Sequence, residues 1–365
     1  MPTPYRVAVI GRTGKGNYGH GLDTVWLNMD NVRLVAVADE DETGRAAAAK
    51  RLKVTATYAD YREMLKKEKP QIVSVADRFL DSHRDMVVAC AEAGASVFLE
   101  KPVCRNLAEA DEMIAACEKH HVKVAIAHQT RYSPRVKVIR DLIADGKLGD
   151  ILELRGRGKE DARGAGLDLM VLGTHIFDLM RHFAGDPKWC FGRILHEGRK
   201  AVAGDIRQGA EGMGPVQGDT IHATYGFDKG AVGSFGTHKA KHGAGSRFAL
   251  HIHGSKGIVQ LQTGALAPAY FLDDPSWMPG KSKAAWQEIT SAGVGKPELL
   301  KDGGELGNKL IVADLIEAIE KDRQPLGSIY DGRAALEMIL AVYESHKQDR
   351  PVDLPLKSRK HPLGA

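Results

Sequence analysis

The run Ser96-Val97-Phe98-Leu99-Glu100-Lys101-Pro102-Val103 restricts the fold more than any other stretch of this 365-residue chain. Val97, Phe98 and Leu99, bounded by Gly94 and Pro102, form a run too short for a helix and without polar alternation. They read as a strand buried on both faces, as in a parallel sheet. Glu100 and Lys101 then stand at the strand's carboxyl end, where open α/β sheets bind ligands, so a rigid element delivers Lys101 to the place where chemistry occurs. The competing reading is a surface lysine after an edge strand.

The flanking sequence supplies the crossovers that such a sheet requires. Arg6 to Ile10 is a β-run that breaks into Gly11-Arg12-Thr13-Gly14-Lys15-Gly16-Asn17-Tyr18-Gly19, after which Leu22, Val25, Trp26 and Met29 recur at helical spacing. Glycines between a strand and a helix mark a phosphate-binding turn. Gly14, Gly16 and Gly19 match G-x-G-x-x-G, with Gly11 the better first glycine of a stretched version, and Asn17 after Gly16 excludes a Walker-type loop. The next strand, Val32 to Ala38, ends in Asp39, whose carboxylate can accept both adenosine ribose hydroxyls and would repel a 2′-phosphate. The cofactor read from this pattern is NAD, bound by Gly11, Arg12, Thr13, Gly14, Gly16 and Asp39. Further helices are expected around Ala46–Ala49, from Asp60 with Glu63 completing a capping box, over His83–Ala93 closed by Gly94, and after the cap Asn106 with Glu109 at N3. Strands are expected over Gln71–Ala76 and Val122–Ala127. Residues 1–127 thus form a doubly wound parallel α/β domain.

From Ile151 the period changes to the alternation of a half-solvated antiparallel strand, with Glu153, Arg155, Arg157 and Lys159 on one face. Thr220–Phe227 and Ala231–His238 form a hairpin around Asp228-Lys229-Gly230, and Phe248–His253 is another alternating strand. Residues 128–365 are therefore a second, α+β domain with a large open sheet, and the C-terminal helix is free to pack back on the first domain. Gly198–Gly218 and Gly264–Gly304 lack periodicity and read as long loops. Tyr270 and Trp277 in the second pack that loop or stack on a sugar ring. Leu306–Lys321 and Asp331–His346 read as amphipathic helices.

The 51 Lys and Arg are interspersed with 47 Asp and Glu, without a basic stripe, which argues against nucleic acid. Cys90, Cys104, Cys117 and Cys190 lack metal or redox spacing and read as buried reduced thiols, so no metal is expected and the cytoplasm is the expected compartment. With only Met1 to Tyr5 before the first strand and no apolar run of about eighteen residues, neither a signal peptide nor a membrane partner is expected.

The glycine-rich start, Asp39, Glu100-Lys101-Pro102, the run Gly173-Thr174-His175-Ile176-Phe177-Asp178-Leu179-Met180-Arg181 and Tyr330-Asp331-Gly332-Arg333 resemble, in this order, the Gfo/Idh/MocA oxidoreductase family. The resemblance implies a Rossmann domain followed by a mostly antiparallel sheet domain, NAD(P) as cofactor, a sugar, inositol or related polyol as substrate, and homodimers or homotetramers associated through the open sheet. It also implies that Lys101 and His175 act at the reacting carbon, with Glu100 and Lys101 beside the cofactor. Asp77, where relatives often have Thr-Pro, is expected to contact the cofactor in their place. Many relatives carry an aspartate four residues before the histidine, and here that position is Val171. Asp168 lies two turns before His175 along a continuous helix and is assigned to substrate contact, while Asp178 is close enough to pair with His175 or with Arg181 and His182. In His128-Gln129-Thr130-Arg131-Tyr132, Thr130 and Arg131 stand where many relatives have paired arginines, and Arg131 and Tyr132 are assigned to substrate.

Oxidation of a secondary alcohol needs a base for the hydroxyl proton, and burial together with a cationic nicotinamide should draw the Lys101 pKa towards neutrality. Lys159, Arg163 and His238, with Arg157, Lys239, Lys241 and His242, offer a basic rim for an anionic sugar, the alternative being a solvated rim. Net dehydrogenation is the first reading. The others are a redox-neutral glycoside hydrolase that oxidises, eliminates, hydrates and reduces, and a non-catalytic NAD-binding sensor. From Asp39 and Glu40 the expected titration result is tight binding of NAD(H) and weak binding of NADP(H); equal affinities overturn the assignment of Asp39.

Overall fold

The computed structural model describes residues 3–240 and 247–364, so Lys241 and His242 of the basic rim lie outside the described residues. The chain divides into two compact units. The first comprises Met1–Ala127, Ala210–Met213 and Asn308–Arg333, and the second His128–Gly209, Gly214–Gly307 and Ala334–Ala365.

In the first unit, β1 (Tyr5–Ile10), β2 (Val32–Ala38), α1 (Glu42–Leu52), β3 (Ala56–Tyr58), α2 (Tyr61–Glu68), β4 (Ile72–Val75), α3 (His83–Glu92), β5 (Ser96–Leu99), α4 (Leu107–Lys119) and β6 (Val124–Ile126) alternate. The six strands form one sheet in the order β3-β2-β1-β4-β5-β6, parallel throughout. Every residue of β4, β5 and β6 is buried, as a sheet covered on both faces demands. The order reverses between β1 and β4, so the crevice outside their carboxyl ends is the topological switch point of this sheet. Caps follow the sequence: Asn106 accepts from the Glu109 amide, and Asp60 accepts from the Arg62 amide. Glu63, expected to complete a capping box, pairs with Lys67 at 2.7 Å.

One expected helix is replaced. After β1 the chain runs through turns into a 3₁₀ helix of five residues, Thr24–Asn28. Gly14, Gly16, Gly19 and Gly21 all adopt positive φ, as does Asn17, and a chain that revisits this region so often cannot propagate an α-helix. Leu22, Val25 and Trp26 are nevertheless buried, and the Trp26 indole donates to Ser74 Oγ at 2.8 Å. Their helical spacing therefore reports burial, not an α-helix.

The second unit opens with α5 (Pro134–Ala144), β7 (Ile151–Arg157), α6 (Gly166–Val171), α7 (Gly173–Ala184), β8 (Trp189–His196), β9 (Arg199–Lys200), β10 (Ile206–Gln208) and β11 (Pro215–Gln217). It continues with β12 (Thr220–Gly226), β13 (Val232–His238), β14 (Ala249–Gly254), β15 (Ile258–Gln262), β16 (Ala269–Leu272), α8 (Pro279–Ser282), β17 (Gln287–Thr290) and β18 (Gly293–Val294). Helix α9 (Leu306–Glu320) belongs to the first unit from Asn308 on, α10 (Ile329–Gln348) passes to the second unit after Arg333, and strand β19 (Val352–Asp353) follows. Eleven strands make one sheet, ordered β18-β17-β16-β15-β14-β7-β13-β12-β8-β19 with β9 beside β8. β7 is antiparallel to β14 but parallel to β13, so its alternation reports one covered face rather than strand direction. The two long segments read as loops instead contain β9, β10 and β11, and β16, β17 and β18. These strands are two to four residues long, too short for a period to register in sequence. Trp277 packs its own segment, donating to the Gly254 carbonyl at 2.9 Å.

The covered face of this sheet is built on close approaches. A Cβ on Gly156 would meet Ile176 and Met180 of α7, and Phe177 packs against Tyr225 and Phe235 with centroids 5.4 and 4.8 Å apart. A Cβ on Gly192 would lie 2.6 Å from the Val342 carbonyl oxygen and 2.9 Å from its Cα. Those are backbone atoms of α10, which cannot rotate aside. Gly192→Ala is expected to destabilise the second unit by about 1–3 kcal/mol. Urea or thermal unfolding measures this, and a midpoint equal to wild type refutes it.

Candidate active site

In the first unit the glycine-rich segment closes on itself. The Arg12 amide donates to the Asn17 carbonyl and the Asn17 amide to that of Arg12, each at 3.0 Å, and the Gly14 amide donates to Asn17 Oδ1. Gly14, at φ +80°, has nothing within 4 Å of where a Cβ would stand, so its backbone is open to a close-lying ligand. Gly11 lies against the Tyr18 ring, and a Cβ on Gly16 would meet the Arg78 backbone nitrogen at 2.6 Å.

Asp39 sits at the end of β2 as expected but is only 2% exposed. It accepts from the Thr13 amide at 3.1 and 3.2 Å, Thr13 Oγ1 at 2.7 Å, Tyr18 Oη at 2.9 Å and the Asp41 amide at 3.1 Å. Its donors here are the protein's own. Asp77, at the end of β4, likewise turns inward, accepting from the Phe79 amide at 2.8 Å and Ser82 Oγ at 2.9 Å. Burial raises its pKa against the opposing pull of His83, Ser82 and Arg12. Arg12 Nη1 lies 2.9 Å from Asp81 and 4.0 Å from Asp77.

Glu100 is fully buried at the end of β5 and accepts from the His20 amide at 3.0 Å, from the His20 ring and from the Lys101 amide at 2.9 Å. Burial opposes its charge, yet the His20 hydrogen bond and the Lys101 ammonium hold its carboxyl below the usual range. Lys101 follows at 5% exposure, carried on a fully buried strand rather than standing as a surface lysine at a sheet edge.

In the second unit Leu172 separates α6 from α7, so Asp168 and His175 do not share a continuous helix. Asp168 accepts from the amides of Lys159 and Glu160, each at 3.1 Å, and from Thr237 Oγ1 at 2.5 Å. It fastens the end of β7 to β13. His175, 8% exposed, lies with its ring 5.3 Å from that of His128 and 5.8 Å from that of Phe248. His128 Nε2 is 3.0 Å from Thr174 Oγ1, and its Nδ1 is 3.5 Å from Asp178. Asp178 also takes Arg131 Nη1 at 2.7 Å, and Arg181 pairs with Asp186. Arg131 and Tyr132 lie buried on a short 3₁₀ turn, Gln129–Tyr132. His128, not singled out from the sequence, thus links Asp178 to the neighbourhood of His175. Its only sequence signal was its place beside the Gln-Thr-Arg-Tyr run.

The basic rim carries its own counter-charges. Glu160 is buried and pairs with Arg157, with His238 at 3.1 Å and with Arg247 at 3.1 Å. Asp161 pairs with Arg163 at 2.6 Å and Lys159 at 3.7 Å.

Burial opposes ionisation of Asp178, but Arg131 and His128 hold its carboxyl well below the carboxylate range. A depressed folded pKa adds stability above the unfolded value and loses it as pH falls through the folded one. Asp178→Asn is therefore expected to cost stability at about pH 7 and to flatten its decline below about pH 4, read from urea unfolding at both pH values. A variant with the wild-type pH dependence contradicts this.

Two family models match the chain, one described as an oxidoreductase family NAD-binding Rossmann fold over residues 5–128 and one as its C-terminal alpha/beta domain over residues 140–354. A levoglucosan dehydrogenase from Pseudarthrobacter phenanthrenivorans is 26% identical over 61% of this chain and 63% of its own length. The chain therefore matches under two thirds of that relative. A 2,7-anhydro-N-acetylneuraminate hydratase from Mediterraneibacter gnavus is 31% identical over 38% of this chain and 36% of its own. A solved levoglucosan dehydrogenase in complex with NADH and L-sorbose superposes with TM-score 0.77 at 20% identity, over 97% of this chain and 100% of that one, a likeness of fold. With both family models matched in chain order, this protein belongs to the Gfo/Idh/MocA oxidoreductase family, with an NAD-binding Rossmann domain at its N-terminal side.

Proposed function

We propose that this protein is an NAD-dependent oxidoreductase acting on a secondary alcohol of an uncharged sugar or polyol. The observation that carries the reading is Lys101, a nearly buried lysine set by a fully buried strand at the carboxyl edge of a domain of NAD-binding type. Relatives that bear sugar names support the substrate class. The pairing of the basic rim with Glu160 and Asp161 supports a neutral substrate over an anionic one.

The residues present suit the cofactor. The open backbone at Gly14 and the amides of the glycine-rich segment are donors for phosphate oxygens, and Asp39 sets a negative charge against a 2′-phosphate. Bound NAD supplies the hydride acceptor, and its reduced form the donor. Lys101, as its neutral amine, takes the hydroxyl proton in oxidation, and as the ammonium so formed returns it in reduction. Glu100, kept ionised and fixed by His20, holds the strand end that presents Lys101. His175 is the second acid–base group, its ring set by His128 and Phe248, and Asp178 lies 3.5 Å from His128 Nδ1. The outer face of the open sheet carries an in-register row of Thr224, Ser234, Arg155, His251 and Gln260, which supports self-association there.

A second reading is favoured by one observation, the 31% identity to a protein named a hydratase, a class with no net redox change. In it the same residues serve transient oxidation followed by elimination, water addition and reduction. The two are separated by supplying glycosides and free sugars with substoichiometric NAD in deuterated water. Net oxidoreduction is expected, with NADH accumulating and product limited by the NAD added. Many turnovers per NAD, no NADH build-up and deuterium at the carbon beside the oxidised one would establish the second reading instead. Lys101→Ala is expected to lower turnover by about 10²–10⁴-fold in either case while leaving NAD affinity within about twofold.

A further inference from the structure

The chain reads Ala76-Asp77-Arg78-Phe79 where β4 ends, and the two charged residues take opposite courses. Asp77 is buried and satisfied by the Phe79 amide and Ser82. Arg78 packs on the glycine-rich segment, its backbone nitrogen 2.6 Å and its Cβ 2.8 Å from where a Gly16 Cβ would be. Its Nε is buried with no hydrogen-bond partner, and among the described residues no carboxylate pairs with its guanidinium. Arg12 nearby is committed to Asp81 and Asp77.

A buried donor left unpaired is costly, so an unpaired Nε beside a ligand-binding turn singles out a guanidinium whose bonds the protein itself does not supply. Its place narrows the ligand. β1 and β4 are neighbours in the sheet, and the glycine-rich segment leaves one while Arg78 leaves the other, so the side chain stands at the switch point where doubly wound domains hold a dinucleotide. In that fold the cofactor diphosphate ordinarily rests on the N-terminus of the helix after the glycines, drawing on free amides and the helix dipole. Here that helix is reduced to turns and five residues of 3₁₀ helix. Two negative phosphates then require positive charge from another source, and a planar guanidinium matches their oxygens better than a point charge.

We infer that Arg78 binds the cofactor diphosphate through its guanidinium and so replaces the missing helix N-terminus. This rests on the NAD reading above and adds a residue to it.

The test is equilibrium binding, by calorimetry or tryptophan fluorescence, of NAD, ADP-ribose, ADP and AMP to the whole protein and to Arg78→Ala, Arg78→Gln and Arg78→Lys. Thermal unfolding of each variant is measured alongside. Arg78→Ala is expected to weaken NAD, ADP-ribose and ADP by about 10- to 100-fold and AMP by less than about threefold, with a shallower salt dependence. Arg78→Lys should recover part of the loss, since it restores the charge without the fork. If the alanine variant does not fold, the glutamine and lysine variants carry the comparison. NAD affinity within about twofold of wild type in the folded variants overturns the inference. So does a loss for NAD that spares ADP, which would move Arg78 to the nicotinamide side. A wild-type protein that binds neither NAD nor ADP removes the cofactor reading itself, whereas one that binds both while Arg78 proves irrelevant removes only this step.

Discussion

A carboxylate taken out of water must have its oxygens satisfied or lose its charge, and this requirement shapes the loops of both units. Asp39 gathers Thr13, Tyr18 and Asp41 around the end of β2. Asp77 draws in Phe79 and Ser82 after β4, and Glu100 draws in His20 and the Lys101 amide after β5. Each of these bonds fixes a loop at the carboxyl edge of the parallel sheet, where the ligand-binding residues of a doubly wound domain lie. The second unit repeats the device with Asp168 and Glu160.

The same requirement divides the charged residues by role. Carboxylates that a motif suggests for ribose or substrate already serve as acceptors for the chain's own amides and hydroxyls. Cations that suggest an anionic substrate already have counter-charges in Glu160 and Asp161. Arg78, with a buried Nε lacking a partner, stands outside this accounting, and so it is informative.

The second unit packs two rings against His175. They belong to His128 and Phe248, and Val171 stands four residues before the histidine. Asp178 and His128 bring a carboxylate and an imidazole into the neighbourhood from another direction.

The sequence by itself determined the fold class, most strand and helix positions in the first unit, the cap at Asn106 and the identity of Lys101 and His175 as candidates. These rest on local rules: period, breaker residues, cap chemistry and motif order, each legible within about ten residues. It misread Leu22–Met29 as an α-helix because burial and helix give the same spacing, while four positive-φ glycines were free to choose turns. It read Asp168 and His175 as one helix because nothing in Val171-Leu172-Gly173 forces the break seen there. Only the tertiary structure decided which oxygens of Asp39, Asp77, Asp168 and Asp178 were already taken, and that His128 lies beside His175. Partners such as Asp178 and Arg131, or Thr237 and Asp168, are 47 and 69 residues apart in sequence, and pairing at that separation is set by the assembled core.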